Sequence, residues 1–344
     1  MVTCYPEVRF FHSPDLDTLL PATNSIIGKP AMLRTRAAML RGTRHFFDDA
    51  GFIEVQTPCL SSDNVVDAHI DPVVVPGTSL LLAKGMAAPQ YYLQTSPEFA
   101  MKRLLADGMG SIYSLGPVFR AGERSPRHNI EFTMLEWYCV SASMEDVIQQ
   151  TIELVDLSLP LGRPRVVTYR QLFQESLNFD PIEAPIETIQ HAAEQVDDSL
   201  ARSLAGQRDE LLDVLMTERI EPMIAHELVL IRNYPITQAA LARRSDDDPQ
   251  TGERFELIVN GLELANGYGE LLDADELLAR NQISNVKRMA TGRKPLPVDS
   301  RLVAAMRSGL PACSGVAMGF DRLVMLALNT REISDVLTFP IEKA

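Results

Sequence analysis

Apolar residues recur at helical spacing from Pro30 through Met39 to Phe47, and Gly51 closes the run. The first predicted element is therefore a long helix with a proline in its first turn. Phe52–Thr57 then alternates apolar and polar positions and stops at Pro58, the pattern of a strand. Similar runs predict strands over Tyr91–Gln94, Ser111–Leu115, Ile130–Val140 and Leu228–Arg232. Helical periodicity predicts helices over Pro97–Ala106, Ser143–Ser158, Arg208–Arg219 and Ala274–Thr291. Between Pro181 and Asp248 the chain is mostly helical and polar, and is expected to pack as an insertion beside a sheet. The regular strand–helix alternation of a doubly wound fold is missing. The pattern instead points to an α+β domain with a central antiparallel sheet flanked by helices. Residues 1–30, rich in scattered prolines, are expected to form an N-terminal arm, and residues 31–344 one domain.

Two hairpins and a strand–helix junction carry candidate chemistry. In the first hairpin, Gly116–Arg120 leads through a polar loop to His128–Tyr138. Phe132, Met134, Glu136 and Tyr138 share one face of its second strand, a floor suited to an aromatic ring and an ammonium group. Leu135 and Trp137 are apolar too, which predicts a central strand covered on both faces, and a buried Glu136 then needs a cationic partner. An edge strand with Glu136 in solvent is the other reading.

In the second hairpin, Asn260-Gly261 separates two alternating apolar runs, the strongest short-range hairpin signal. A two-residue turn pairs Val259 with Leu262, Ile258 with Glu263 and Glu256 with Ala265. Glu256 and Glu263 then lie on one face as diagonal neighbours, roughly 7–8 Å apart at the backbone. Two such carboxylates suit a magnesium ion that also carries phosphate oxygens, or else form a solvated acidic face. The third stretch, Cys313–Leu326, runs from a strand of small residues into an apolar helix with Arg322 in its first turn. Small residues let a ligand approach the backbone, and an arginine there can clamp a phosphate. Tight strand–helix packing beside a surface arginine explains it equally well.

Composition changes this picture little, since 344 residues at 46% hydrophobic and 23% charged describe an ordinary globular chain with room for a large core. Charge changes it more. The formal net charge is −14, with an isoelectric point of about 4.9, and such a surface repels phosphate backbones. A general nucleic-acid binder is not expected, though a local basic cleft for a nucleotide is compatible with this charge. The four cysteines, Cys4, Cys59, Cys139 and Cys313, are far apart and form no CxxC pair, so neither a zinc site nor a disulfide framework is expected. No apolar run reaches membrane-spanning length and no signal peptide is evident, so a soluble cytoplasmic protein is expected. With neither GxGxxG nor GxxxxGK[ST] present, a nucleotide must be held by some other device.

In this order the stretches resemble the three motifs of a class II aminoacyl-tRNA synthetase. The first is the helix and strand ending at Pro58, the second the Phe119-Arg120…Phe132 hairpin, and the third Gly319-Phe320-Asp321-Arg322. Thr95-Ser96-Pro97-Glu98, Met101-Lys102-Arg103-Leu104, the Glu131–Glu136 run and Asn266-Gly267-Tyr268-Gly269-Glu270 are similar to the lysine branch. Thr57-Pro58-Cys59, Leu135-Glu136-Trp137-Tyr138, Leu264–Gly267 and Cys313–Ala317 resemble its truncated paralogues, the elongation factor P lysine ligases. The resemblance covers residues 31–344 and identifies them as a class II synthetase-like catalytic domain. Only about thirty residues precede the first motif, too few for an anticodon-binding domain.

The resemblance implies a role for each matching residue. Arg120 would bind the α-phosphate and the amino-acid carboxylate. His128 would lie by the ATP phosphates, Phe132 would stack on adenine, and Glu123, Asn129 and Gly319 would complete the nucleotide site. Arg322 would hold the γ-phosphate, while Glu256 and Glu263 would coordinate Mg2+. Ser96 and Glu98 would meet the substrate near its reacting carboxylate. Glu270 and Tyr138 would hold the distal ammonium, with Asn266, Glu136 and Ala317 lining the pocket. Clustered carboxylates with no matching basic side chain are what a dicationic substrate needs.

The implied reaction is ATP-dependent activation of (R)-β-lysine, or lysine, as an adenylate, followed by transfer to a lysine of elongation factor P by a cytoplasmic homodimer. The alternatives are a lysyl-tRNA synthetase-like enzyme that still charges tRNA, which the missing anticodon domain disfavours, and an inactive lysine-binding regulator. Three positions depart from the pattern. Gly122 stands where synthetases carry glutamate, Ile130 where proline is usual, and Gly269 where the ligases often carry histidine, which is expected to alter the pocket wall.

Overall fold

A computed structural model describes residues 28–344 apart from 84, 86 and 87, so almost all of the expected N-terminal arm lies outside the described residues. Helix α1 (Lys29–Asp49) carries Pro30 in its first turn and buries Met32, Thr35, Met39, Thr43 and Phe47 at three- and four-residue spacing. Phe47 is fully buried and stacks on Tyr113 at 4.6 Å between ring centroids.

Eight strands form the main sheet. In chain order they are β1 (Ile53–Glu54), β5 (Ile112–Phe119), β6 (Glu131–Val140), β7 (Arg165–Thr168), β8 (Leu228–Pro235), β9 (Thr251–Val259), β10 (Leu262–Gly269) and β11 (Cys313–Gly319). Across the sheet they run β1-β5-β6-β11-β10-β9-β8-β7. Every interior pairing is antiparallel, and the two outermost, β1 with β5 and β7 with β8, are parallel. The sheet is thus mixed at its edges and antiparallel where the site lies. A small sheet of β2 (Leu60–Ser61), β3 (Val74–Pro76) and β4 (Gln90–Leu93) sits apart from it.

The strand expected over Phe52–Thr57 shrinks to Ile53–Glu54. Val55 still donates to the Tyr113 carbonyl, but the chain then turns toward Pro58 and pairs no further.

The remaining helices are α2 (Glu98–Ala106), α3 (Met144–Ser158), α4 (Tyr169–Leu177), α5 (Ile186–Glu194), α6 (Asp198–Ser203), α7 (Arg208–Leu215), α8 (Ala274–Ala290), α9 (Arg301–Gly309) and α10 (Phe320–Ala327). Ser143 and Asp146 cap α3 reciprocally, as Thr168 and Gln171 cap α4. One face of the sheet packs through Leu135, Trp137, Leu257 and Val316 against α1, α3 and α10, which supply Phe47, Leu154, Phe320 and Leu323. Beside the other end, Ile189, Leu211 and Leu212 of the helical insertion pack on Val229, Ile231 and Ile258. The helix expected over Arg208–Arg219 ends early. Met216–Ile220 widens into a π turn in which Glu221 donates to Met216, just before Pro222, which has no N–H to continue the ladder.

Candidate functional site

The face of β6, β11, β10 and β9 that helices leave uncovered floors a cavity of about 840 Å³. Strand register sets its floor. One cross-strand row runs Tyr138–Gly315–Tyr268–Arg254 and the next runs Glu136–Ala317–Asn266–Glu256. At Asn260-Gly261 both residues have positive φ, 51° and 70°, as the predicted two-residue turn requires. Val259 pairs with Leu262 and Ile258 with Glu263 as expected. A bulge between Glu263 and Ala265 then shifts the register, so Glu256 faces Asn266 rather than Ala265. The extra residue lets both Leu264 and Ala265 bury while Glu263 stays on the cavity side.

All the residues singled out in the sequence line this one cavity: Ser96, Glu98, Arg120, Glu123, His128, Asn129, Phe132, Glu136, Tyr138, Glu256, Glu263, Asn266, Glu270, Ala317, Gly319 and Arg322. Gly269 does not. A Cβ there would meet Glu253 and Arg243, so its expected place in the pocket wall is corrected. A Cβ on Gly315 would come within 2.6 Å of both the Tyr138 ring and Glu270 Oε1, so glycine keeps this end of the floor open. Gly122 adopts φ 78°, natural for glycine, and Glu123 next to it lies 3.7 Å from Arg120. Ile130 contributes its carbonyl, which accepts from Arg120 N, a contact a proline would also make.

At one end of the cavity, Arg120 lies over the Phe132 ring at 5.2 Å, and its Nε donates to the Thr95 carbonyl. Arg322 Nη1 donates to the Glu263 carbonyl at 2.7 Å, and its Nη2 lies 2.8 Å from His128 Nε2. A guanidinium only donates, so the hydrogen-bond network assigns Nε2 as acceptor and leaves the imidazole proton on Nδ1, 2.7 Å from Ser125 Oγ. Burial and the Arg322 charge hold the His128 pKa below its ordinary value. The hairpin loop is braced by the end of the chain. Ile341 N donates to Asn129 Oδ1, Ile333 N to the Pro126 carbonyl, and Arg124 pairs with Glu342. Asp321 joins Arg36 of α1 at 2.5 Å and accepts from Thr133 N of β6 at 2.7 Å.

The other end is rich in carboxylates. Glu136 is buried, and its partners are hydroxyls rather than the expected cation: Tyr138 donates to it at 2.6 Å and Ser96 at 2.7 Å. Burial, with repulsion from Glu98, pushes its carboxyl up to about 8. Burial likewise pushes Glu270 to about 7, against the pull of Lys102. The expectation of carboxylates without a basic partner is corrected here. Lys102 Nζ is buried between Glu98 and Glu270, at 2.6 and 2.5 Å. Glu270 Oε2 takes the closer of the two contacts.

Glu256 is committed too. Tyr234 donates to it at 2.7 Å, and the half-buried Arg254 pairs with it. Burial and repulsion by Glu263 raise its pKa, and Glu221, facing both, rises to about 7 by burial and their charges. These crowded carboxylates fit a hard divalent cation held by one or two side chains and substrate phosphates. Among the described residues no group of three metal-ligating side chains is placed to cage a metal alone.

Sequence reasoning gave no role to Lys102, Arg254, Tyr268 or Tyr234. The first three had signals: Lys102 is four residues after Glu98 on a helix, and Arg254 and Tyr268 fall in the alternation of Glu256 and of Asn266 and Glu270. Tyr234 had none, since it arrives from a strand with no motif.

Similarity to known proteins agrees with this geometry. A family model described as tRNA synthetases class II (D, K and N) matches residues 28–343. Two curated relatives, from Yersinia pestis (strain Pestoides F) and Yersinia pseudotuberculosis serotype O:3 (strain YPIII), bear the name elongation factor P--(R)-beta-lysine ligase. Each is 42% identical over 315 residues, covering 91% of this chain and 96% of the relative. No helix among the described residues is long and apolar enough to cross a membrane.

Proposed function

The chain belongs to the class II tRNA synthetases (D, K and N), and on that premise we propose that it activates (R)-β-lysine with ATP and transfers it to a lysine of elongation factor P. The observation that carries this reading is the pairing, in one cavity, of an arginine-lined end with an end floored by three buried or nearly buried carboxylates.

In the first step the amino-acid carboxylate attacks the α-phosphate of ATP, forming the aminoacyl-adenylate and releasing pyrophosphate. Arg120 orients both reacting groups, and Phe132, already stacked beneath it, offers a face to adenine. Arg322 holds the γ-phosphate, with neutral His128 keeping its guanidinium in place. Glu123, Asn129 and Gly319 shape the nucleotide end. Glu256 and Glu263 would hold Mg2+, which supplies charge neutralisation to the phosphates. These fixed charges act where negative charge develops, the main source of catalysis in such transfers.

At the amino-acid end, Ser96, Glu98 and Glu136 receive the amino group nearer the carboxylate, while Glu270 and Tyr138 receive the distal ammonium. Asn266 and Ala317 line the floor between them. In the second step the ε-amine of the acceptor lysine attacks the activated carbonyl and AMP leaves. Residues 31–344 act as the catalytic unit of a cytoplasmic homodimer joined through α1 and β1, where Ile53 is 49% exposed.

Pyrophosphate exchange with α- and β-lysine, followed by comparison of elongation factor P and total tRNA as acceptors, tests the reading. Exchange with β-lysine and label on the protein factor support it. Label on tRNA would establish the synthetase instead, and no exchange with any isomer would leave a binding protein.

A further inference from the structure

Lys102 reaches the amino-acid end of the cavity from α2, with its side chain 2% exposed. It meets Glu98 on its own helix and Glu270 at the end of β10, and its ammonium lies 5.7 Å from the Tyr138 ring centre on β6. Glu136 is buried in the same pocket, so three carboxyl groups share one resident cation, a formal surplus of two negative charges that Glu136 and Glu270 relieve in part through their raised proton affinity. A merely structural ion pair would need one carboxylate, whereas Lys102 holds two, Glu98 at 2.6 Å and Glu270 at 2.5 Å.

We propose that Lys102 is a positioning residue that sets the charge of the amino-acid pocket, neutralising one of three carboxylates and holding Glu98 and Glu270 an ammonium's width apart for a substrate with two ammonium groups. This rests on reading the cavity as a lysine or β-lysine site. The match is one of charge. A diamino acid brings two ammonium groups to two uncompensated carboxylates, while its own carboxylate turns to Arg120. With a third uncompensated carboxylate, mutual repulsion raises the proton affinity of the group further, and a protonated carboxyl no longer attracts an ammonium.

Burial opposes charge on Lys102, but Glu270 and Glu98 outweigh it and keep the ammonium protonated. The other groups in range are Glu136 and Tyr138 from β6, Tyr268 from β10, Cys313 from β11, and Arg243, which acts on Glu270. Burial raises both phenols and the thiol, so they stay neutral as the carboxylates titrate.

The test compares wild type with Lys102→Met, which keeps the apolar stem and removes the charge, and with Lys102→Met/Glu98→Gln, which removes one charge of each sign. In the free enzyme, infrared titration follows the buried carboxyl groups. The single variant should raise their midpoint by about one pH unit or more, and the double variant should return it toward wild type. In pyrophosphate exchange, Lys102→Met should raise KM for the diamino acid at least ten-fold and leave KM for ATP within two-fold. The acid limb of kcat/KM should move to higher pH.

An unchanged midpoint and limb in a folded Lys102→Met would overturn the proposal and make Lys102 a tie between α2 and β10. Should that variant not fold, the double variant decides: a wild-type midpoint supports the proposal and a raised one overturns it. If wild-type protein exchanges with no lysine isomer, the functional reading fails, and the titration of the free enzyme still decides the charge role.

Discussion

Glu256 and Glu263 share a face of one hairpin but differ in how far each is committed. The Glu256 side chain is 16% exposed and held by Arg254 and Tyr234, whereas the Glu263 side chain is 46% exposed and pairs with Arg322 at 3.6 Å. Glu263→Gln is therefore expected to keep the fold, judged by an unchanged melting temperature, and to lower ATP-dependent pyrophosphate exchange by orders of magnitude. Near-normal exchange would remove Glu263 from the metal-binding set. Ala317 is the other informative residue, a single methyl opposite Glu136 and Asn266 with Gly315 and Gly319 beside it on the same face. The α-isomer of lysine carries its amino group on the carbon next to the carboxylate, and β-lysine carries it one carbon further along. On the proposed reading of the pocket, a methyl here crowds the first arrangement by about 1–3 kcal/mol and tolerates the second. Ala317→Gly should raise activation of α-lysine relative to β-lysine roughly ten-fold or more, read as the ratio of kcat/KM values. An unchanged ratio at unchanged stability would leave Ala317 with packing alone. At this scale the sequence was informative wherever alternation marked a face, as for Glu136 and Tyr138. It was misleading about charge, because alternation within a strand is silent on a cation such as Lys102 arriving from a helix.

Between elements, the buried Asp321 binds Arg36 of α1 and the Thr133 amide of β6, and Arg36 also donates to Thr133 Oγ1 at 2.7 Å. Removing one partner of a buried pair strands the other, at about 3–5 kcal/mol. Asp321→Ala should lower the urea midpoint accordingly without changing the slope of the transition. A loss under 1 kcal/mol would mean that water reaches Arg36 in the native state. The long helices α1, α3 and α8 were legible from periodicity and caps, and the β9–β10 turn from Asn260-Gly261. What escaped was irregularity: the bulge after Glu263, the π turn before Pro222 and the early end of β1. The bulge and the π turn each insert about one residue, which a periodic pattern does not register, and β1 ends where the chain turns toward Pro58 although its alternation continues.

Across the whole molecule, the cavity concentrates carboxyls held above their ordinary range, chiefly by burial: Glu136 at about 8, Glu270 and Glu221 at about 7, and Asp213 at about 6. In the unfolded chain these groups release their protons at ordinary carboxylate pH, so above that range the folded state holds the excess. The stability they contribute is full below the ordinary carboxylate range and is lost as pH rises from there to about 8, where the last of them ionises in the folded state. The melting temperature of the free protein should fall across that interval, and added lysine or β-lysine, by supplying ammonium groups, should raise it most at the alkaline end. Scanning fluorimetry across a pH series checks both, and a flat profile would contradict the burial of these groups. The fold class was legible in the order of the motifs, whereas the parallel outer pairings were not, since each joins strands far apart in the chain: β7 and β8 meet across the helical insertion, and β1 and β5 across the small sheet and α2. A practical matter follows from the brace of Ile333, Ile341 and Glu342 on the loop that carries Arg124 and Asn129. An affinity tag fused after Ala344 hangs from this hairpin, so, if the hairpin holds ATP as proposed, two preparations that differ only in their cloning vector will differ in apparent affinity for it.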